Sequence, residues 1–81
     1  MTPIDELAGI LGSQAEIARI LGLDASNGAP VVTQWKKRHD GRLPTQYAPR
    51  IQRHADKAGC GDHVRRVLAR NQRAWEKVWR Q

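Results

Sequence analysis

The sequence predicts an all-α protein built from five short helices, of which the last is the longest. Two observations support this prediction. Apolar residues recur at helical spacing in five segments, and proline, glycine or capping side chains mark most of the segment ends. No segment has the apolar–polar alternation of a half-buried strand. At 81 residues the chain is long enough for one small domain with a marginal core.

The first two helices have clear start signals. Thr2 can cap a helix whose first residue is Pro3, and Gly12 ends the apolar periodicity of that segment. The following tetrapeptide "SQAE", residues 13–16, has the form of a capping box, in which a hydroxyl and a carboxylate satisfy each other's backbone amides. We therefore expect a second helix from Gln14 to Gly22.

A turn and a third helix follow. Residues 23–28 are rich in Asp, Ala, Ser, Asn and Gly, which is typical of a turn. The third helix is expected to start near Ala29 or Pro30, because a proline at the first helical position loses no hydrogen bond. Val32 and Trp35 then lie on its inner face.

Two more helices follow the third, and a break that contains two glycines, Gly59 and Gly61, separates them from each other. The segment "HDGRLP" ends the third helix, and a fourth runs from about residue 45 to 58, with Pro49 either starting its regular part or distorting its first turn. Asp62 is expected to cap the fifth helix, which can reach the C-terminus. Its apolar stripe contains one polar member, Asn71, among Val64, Val67, Leu68, Trp75, Val78 and Trp79.

Charge divides the chain into two unlike parts. Residues 1–34 hold one basic and four acidic residues, whereas residues 35–81 hold thirteen basic and four acidic residues. The formal net charge is +6, and the second part alone carries +9. Such a concentration of positive charge in one part of the chain favours a partner of dense negative charge, of which nucleic acid is the commonest. An anionic membrane surface and an acidic protein are the alternatives.

Other classes of function lack the residues that they need. Cys60 is the single cysteine, so neither an intrachain disulfide nor a thiolate pair for a metal is available, which fits a reducing cytoplasm. His39, His54 and His63 lack metal-ligand spacing, and no catalytic constellation is present. We therefore expect a cytoplasmic protein that is not an enzyme, with no metal, cofactor, small-molecule substrate or membrane segment.

The stretch "APVVTQWKKR", residues 29–38, is the candidate for DNA recognition. Two short helices joined by a glycine-containing turn, the second beginning with small and polar residues and ending with basic ones, are typical of a DNA-binding helix-turn-helix. Thr33 and Gln34 face outward and carry groups that can pair with base edges. Later residues meet phosphates and need only charge, which Lys36, Lys37 and Arg38 supply.

The segments "GSQAEIARILGL", "VVTQWKKR" and "GRLPTQYAPRI" together resemble the small Cro-type phage repressors and the YdaS-like regulators, over about residues 7–58. The resemblance implies a regulator from a phage or mobile element. It also implies that the third helix is the recognition helix, in which Gln34 reads a base with Thr33 beside it, and that the N-terminal positions of this helix face the groove. The implied groove-facing residues are Ala29, Pro30 and Val31, and the implied phosphate contacts are Gln14, Lys36, Lys37 and Arg42.

The turn before the recognition helix departs from that pattern. The family passes to this helix in one or two residues, whereas here "DASNG" adds about four. The helix start and its cap are therefore open to Ser26, Asn27 or Gly28. From the longer turn, Ser26 and Asn27 come within reach of DNA, so Asn27 joins the candidate base contacts.

The role of the last helix has several possible answers. Its apolar stripe can close the chain's own core or pair with a second subunit through Val64, Leu68, Trp75 and Trp79, and its arginines can follow the DNA backbone. We assign residues 1–60 to the helix-turn-helix and 61–81 to this helix, within one structural domain.

The expected function is repression of a promoter by a homodimer that binds a palindromic operator through residues 29–37. The competing hypothesis is an antitoxin-like or adaptor module that holds another protein through its Trp-bearing helix. Binding to RNA, or to DNA without sequence preference, is the third.

Overall fold

The computed structural model describes residues 1–23 and 28–80, and for residues 28–30 it describes the backbone alone. The described chain is all-helical and has no strand, which confirms the predicted fold class. Five α-helices follow in order, the last by far the longest. They are α1 (Pro3–Leu11), α2 (Gln14–Ile20), α3 (Gly28–Arg38), α4 (Ala48–Ala58) and α5 (Gly61–Trp79), and a 3-10 turn, Thr45–Tyr47, precedes α4.

The cap of α1 is more complete than the sequence pattern indicates. Thr2 Oγ1 accepts from the amide of Asp5 at 3.2 Å, and the Thr2 amide donates back to the Asp5 carboxylate at 3.4 Å, which makes a full capping box. The box predicted at Ser13 and Glu16 is only half formed. Ser13 Oγ accepts from the Glu16 amide at 3.1 Å, but the Glu16 carboxylate binds Arg19 instead.

Two other helix starts differ from prediction by one or two residues. Helix α3 begins at Gly28, just before the expected Ala29 or Pro30. Helix α5 begins at Gly61, so Asp62 lies inside its first turn, where it pairs with Arg65, and the predicted Asp62 cap is wrong. The reason is that Gly59 adopts a left-handed conformation with φ of 85°, which reverses the chain at once and lets α5 start earlier.

The core lies where all five helices meet. Helices α2 and α3, which the sequence assigns to a helix-turn-helix, pack against each other, and α5 folds back onto α1 and α4. Every helix contributes buried apolar side chains, as does the loop between α3 and α4. The fully buried ones are Ile4, Leu7, Ile17, Val32, Leu43, Ile51, Ala55, Val64 and Val67. The apolar stripe of α5 therefore closes the chain's own core.

The loop of residues 39–44 is held from two sides. The Ile4 amide at the start of α1 donates to the Gly41 carbonyl at 2.9 Å. Gly41 has φ of +79°, and a Cβ at this position would lie 2.2 Å from the Thr2 Cβ, so only glycine fits. On the other side, Asn71 and Trp75 of α5 bind the Leu43 peptide. The end of α3 is thereby tied to α1 and α5.

None of the helices in the described part of the chain is long and apolar enough to cross a bilayer.

Candidate nucleic-acid interface

The solvent-exposed side of α3 carries two polar residues followed by two cations. Val32 and Trp35 are buried in the core, as predicted from their spacing. Because a helix repeats every 3.6 residues, this anchoring turns Thr33, Gln34, Lys37 and Arg38 outward, and all four are exposed. We call these four residues the α3 face. It presents hydrogen-bonding groups on its middle turn and positive charge at its C-terminal end.

Gln14 joins the α3 face through a side-chain contact. The Thr33 hydroxyl donates to Gln14 Oε1 at 2.9 Å, across 19 residues of sequence. Gln14 is the first residue of α2, so its side chain is held where the N-terminus of that helix meets α3. The contact brings together a residue predicted to bind phosphate and one predicted to read a base.

Lys36 has an intramolecular partner. It lies on the flank of α3 that faces α1, where its Nζ is 2.8 Å from Asp5 Oδ1. Hydrogen bonds from Lys36 and from Thr2 lower the pKa of the Asp5 carboxyl to about 2, since both favour its charged form. The family resemblance implies a phosphate contact for Lys36, and this ammonium already has a carboxylate partner within the chain.

Arg42 is likewise engaged within the chain. Only 16% of its side chain is exposed, and its guanidinium lies over the Trp75 ring, 4.8 Å from the centroid. Asp40 is 3.7 Å away, and the buried Nε has no hydrogen-bond partner among the described atoms. Arg42 lines a groove beside α5. The family resemblance implies a phosphate contact for Arg42 but does not indicate Trp75 as its neighbour.

The other predicted base contacts are described to different extents. Val31 is partly buried and packs against the core, so a portion of its side chain remains for a groove contact. Ala29 lies in the first turn of α3, but its side chain is outside what the structure describes. Asn27 and Ser26 lie outside the described residues.

The predicted dimer-interface residues have different environments. Val64 is fully buried in the chain's own core, and Leu68 packs against that core. Trp75 donates from Nε1 to the Leu43 carbonyl at 2.7 Å. Trp79 is 59% exposed and stacks on Trp75, with the ring centroids 6.1 Å apart. Val64 is thus a core residue and not an interface residue, because α5 folds back, and Trp79 is the large side chain left for a partner.

Sequence reasoning missed the role of Asn71. Its Oδ1 accepts from the Leu43 amide at 2.7 Å, and its Nδ2 donates to the Leu43 carbonyl at 2.9 Å. We call Asn71, Trp75 and the Leu43 peptide the Leu43 clasp. The one available signal was a single amide inside an apolar stripe, which indicates a buried polar group with a partner but not which partner.

The described residues include no group of three or more histidine, cysteine, aspartate or glutamate side chains that could hold a metal ion. Cys60 is a free, partly exposed thiol beside the start of α5.

Comparison with known proteins returned no matching family model, no matching curated protein and no matching solved structure. The resemblance to the Cro-type and YdaS-like regulators accordingly stays an expectation drawn from the motifs.

Proposed function

We propose that the chain is a sequence-specific, double-stranded DNA-binding transcriptional regulator of the helix-turn-helix kind, acting as a repressor in the cytoplasm. The observation that carries this proposal is the α3 face. A helix anchored by Val32 and Trp35 presents Thr33 and Gln34 to solvent and ends in the exposed cations Lys37 and Arg38.

The order of these residues suits a helix lying in the major groove. A glutamine amide can donate to and accept from the edge of one adenine, which distinguishes that base pair from the other three. Thr33, whose hydroxyl donates to Gln14, would take part in the readout together with that glutamine. Cations at the C-terminal end of the helix need only meet phosphates, which position the protein without reading sequence.

Charge supports the same partner. The chain carries a formal net charge of +6, and all but one of its fourteen basic residues lie in residues 35–81. Binding to a duplex would release counterions in proportion to the number of phosphates contacted, so affinity is expected to fall steeply with salt.

The proposed regulator is a homodimer on a palindromic operator, since a two-fold protein matches a two-fold site. Trp79 is the described side chain best suited to the contact, because it is large, apolar and mostly exposed. The same observation favours a second candidate, an antitoxin-like or adaptor module that holds a different protein through Trp79. A homodimer buries Trp79 against a second copy of the chain, whereas an adaptor leaves the purified chain monomeric.

The test of base readout is the substitution Gln34→Ala. A preferred duplex is first selected from a random pool, and binding to it and to an unrelated duplex is then measured by fluorescence anisotropy. We expect Gln34→Ala to weaken binding to the preferred duplex by about 1–3 kcal/mol, the range of a good bidentate base contact, and to leave binding to the unrelated duplex nearly unchanged.

Gln72→Ala is the matched control, since it removes an exposed glutamine from α5. A palindromic selected sequence would support the dimer. Equal weakening of both duplexes by Gln34→Ala would show that this residue contributes affinity without reading a base, and the assignment of base readout would be wrong.

A further inference from the structure

We infer that α5 carries a second DNA-contacting surface, which binds backbone phosphates. It consists of four cations along one side of the helix, Arg66, Arg70, Arg73 and Lys77, and we call it the α5 stripe. The inference rests on the proposed function, because it takes duplex DNA as the partner, and it adds a surface outside the helix-turn-helix.

The α5 stripe borders two surface grooves. One is lined by Arg42, Arg70, Arg73 and Lys77 together with Ala74 and Val78. The other continues along the same side of the helix and is lined by His63, Arg66, Ala69, Arg70 and Arg73. Arg42, held over the Trp75 ring, contributes a further positive charge to the first groove.

Carboxylates neutralise only part of this charge. Glu6 of α1 binds Arg70 at 2.9 Å, and Asp40 lies 3.7 Å from Arg42. Among the described residues, no carboxylate is within ion-pair distance of Arg66, Arg73 or Lys77. These three cations are exposed and are available to an external anion.

The spacing of the α5 stripe fits an extended polyanion. Its members lie four, three and four residues apart, which keeps them on one side of a helix and spreads them over about 16 Å at 1.5 Å per residue. A single small anion needs cations that converge on one point. A nucleic-acid backbone offers a phosphate at each step along such a line.

The surroundings of the stripe favour DNA over a membrane surface. A helix that lies on a membrane needs apolar residues beside its cations, but Val64, Val67 and Leu68 on the apolar side of α5 pack into the core. Trp79 lies about 150° around the helix from the centre of the stripe, at 100° per residue. One face of α5 therefore does not present both the cations and the exposed tryptophan.

The first groove also lies near the end of α3. Arg42, which lines this groove, donates its backbone amide to the carbonyl of His39, the residue that follows α3. A duplex that extends from the end of α3 along this groove would meet the α5 stripe as a second set of phosphate contacts.

The experiment compares Arg73→Gln with Arg65→Gln in the full chain. Both substitutions remove one exposed arginine from α5, but Arg65 lies about 110° around the helix from the stripe, next to Asp62. Binding to a labelled duplex of unrelated sequence is measured across a salt series. Thermal melts check that each variant folds as the wild type does.

We expect Arg73→Gln to reduce the slope of log K against log salt by about 0.9, the value for one phosphate contact. The double variant Arg73→Gln/Lys77→Gln is expected to reduce it by about 1.8 and to weaken binding on the order of tenfold at physiological salt. Arg65→Gln should leave the slope unchanged.

Equal slopes for Arg73→Gln and Arg65→Gln would overturn the inference while leaving readout by Gln34 standing. A reduced slope for Arg73→Gln with no effect of Gln34→Ala on sequence preference would support the stripe and refute the proposed readout. Absence of duplex binding by the wild type would refute both.

Two further arms exclude other anions. If inorganic phosphate at constant ionic strength abolishes the difference between Arg73→Gln and wild type, the groove binds a small anion and the inference is wrong. It is also wrong if Arg73→Gln weakens binding to phosphatidylserine vesicles and leaves binding to the duplex unchanged.

Discussion

The Leu43 clasp provides a quantitative test of how the end of α3 is held. Asn71 is 1% exposed, and its side-chain amide makes two hydrogen bonds, one with the backbone amide of Leu43 and one with the Leu43 carbonyl. Substituting Asn71→Leu keeps a side chain of similar shape in the core but removes both bonds. The Leu43 carbonyl retains Trp75 Nε1 as a donor, whereas the Leu43 amide loses its acceptor.

The expected loss of stability follows from the Leu43 amide, which is left without an acceptor. A buried amide left without an acceptor costs about 1–3 kcal/mol. Asn71→Ala leaves a cavity as well and should add about 1 kcal/mol. For a chain of this length the whole free energy of unfolding is about 4–12 kcal/mol. A loss of about 2 kcal/mol therefore lowers the melting temperature by roughly 8–16 °C.

Thermal and urea unfolding followed by circular dichroism measure these changes. Gln72→Ala is the matched control, because it removes a neighbouring amide that is exposed, and its melting temperature should be close to that of the wild type. If Asn71→Leu also melts at the wild-type temperature, the Leu43 clasp contributes nothing to stability, and the reasoning from the unpaired amide is refuted.

Two further predictions concern the ion pair at α1 and the exposed tryptophan. Because the pKa of Asp5 is lowered, its ion pair with Lys36 stabilises the fold above pH 3.8, the ordinary pKa, and this stabilisation is lost as the pH falls towards about 2. Since 35% of the Asp5 side chain is exposed, we expect the ion pair to contribute no more than about 1 kcal/mol to the free energy of unfolding. Urea unfolding from pH 6 to pH 2 should show this loss in the wild type and less of it in Lys36→Met, and equal pH profiles would contradict the assignment. If Trp79 forms the dimer contact, sedimentation equilibrium should show that the wild type is a dimer and that Trp79→Ser is a folded monomer, as checked by thermal melting. A monomeric wild type would favour the adaptor hypothesis.

Local signals in the sequence were sufficient for the helices and for the orientation of α3. Thr2 and Pro3 start α1 and Gly12 ends it as expected, because capping and backbone conformation depend on a few neighbouring residues. The outward position of Thr33 and Gln34 follows from the helical repeat once Val32 and Trp35 are assigned to the core. The predicted starts of α3 and α5 differ from the structure by only one or two residues, because these starts also depend on the residues next to them.

The partners of the polar and charged side chains were decided by the tertiary structure. The sequence by itself indicated five helices, a basic second part and a polar-to-basic face on the third helix. It did not indicate that Lys36 binds Asp5, that Arg42 stacks on Trp75, or that Asn71 holds Leu43. Those pairs lie 28 to 33 residues apart in the chain. The first meets where the end of α3 lies beside α1, and the other two meet where α5 lies beside the loop of residues 39–44. Periodicity determines which side of a helix is buried, whereas the packing of the helices determines what each side chain meets there.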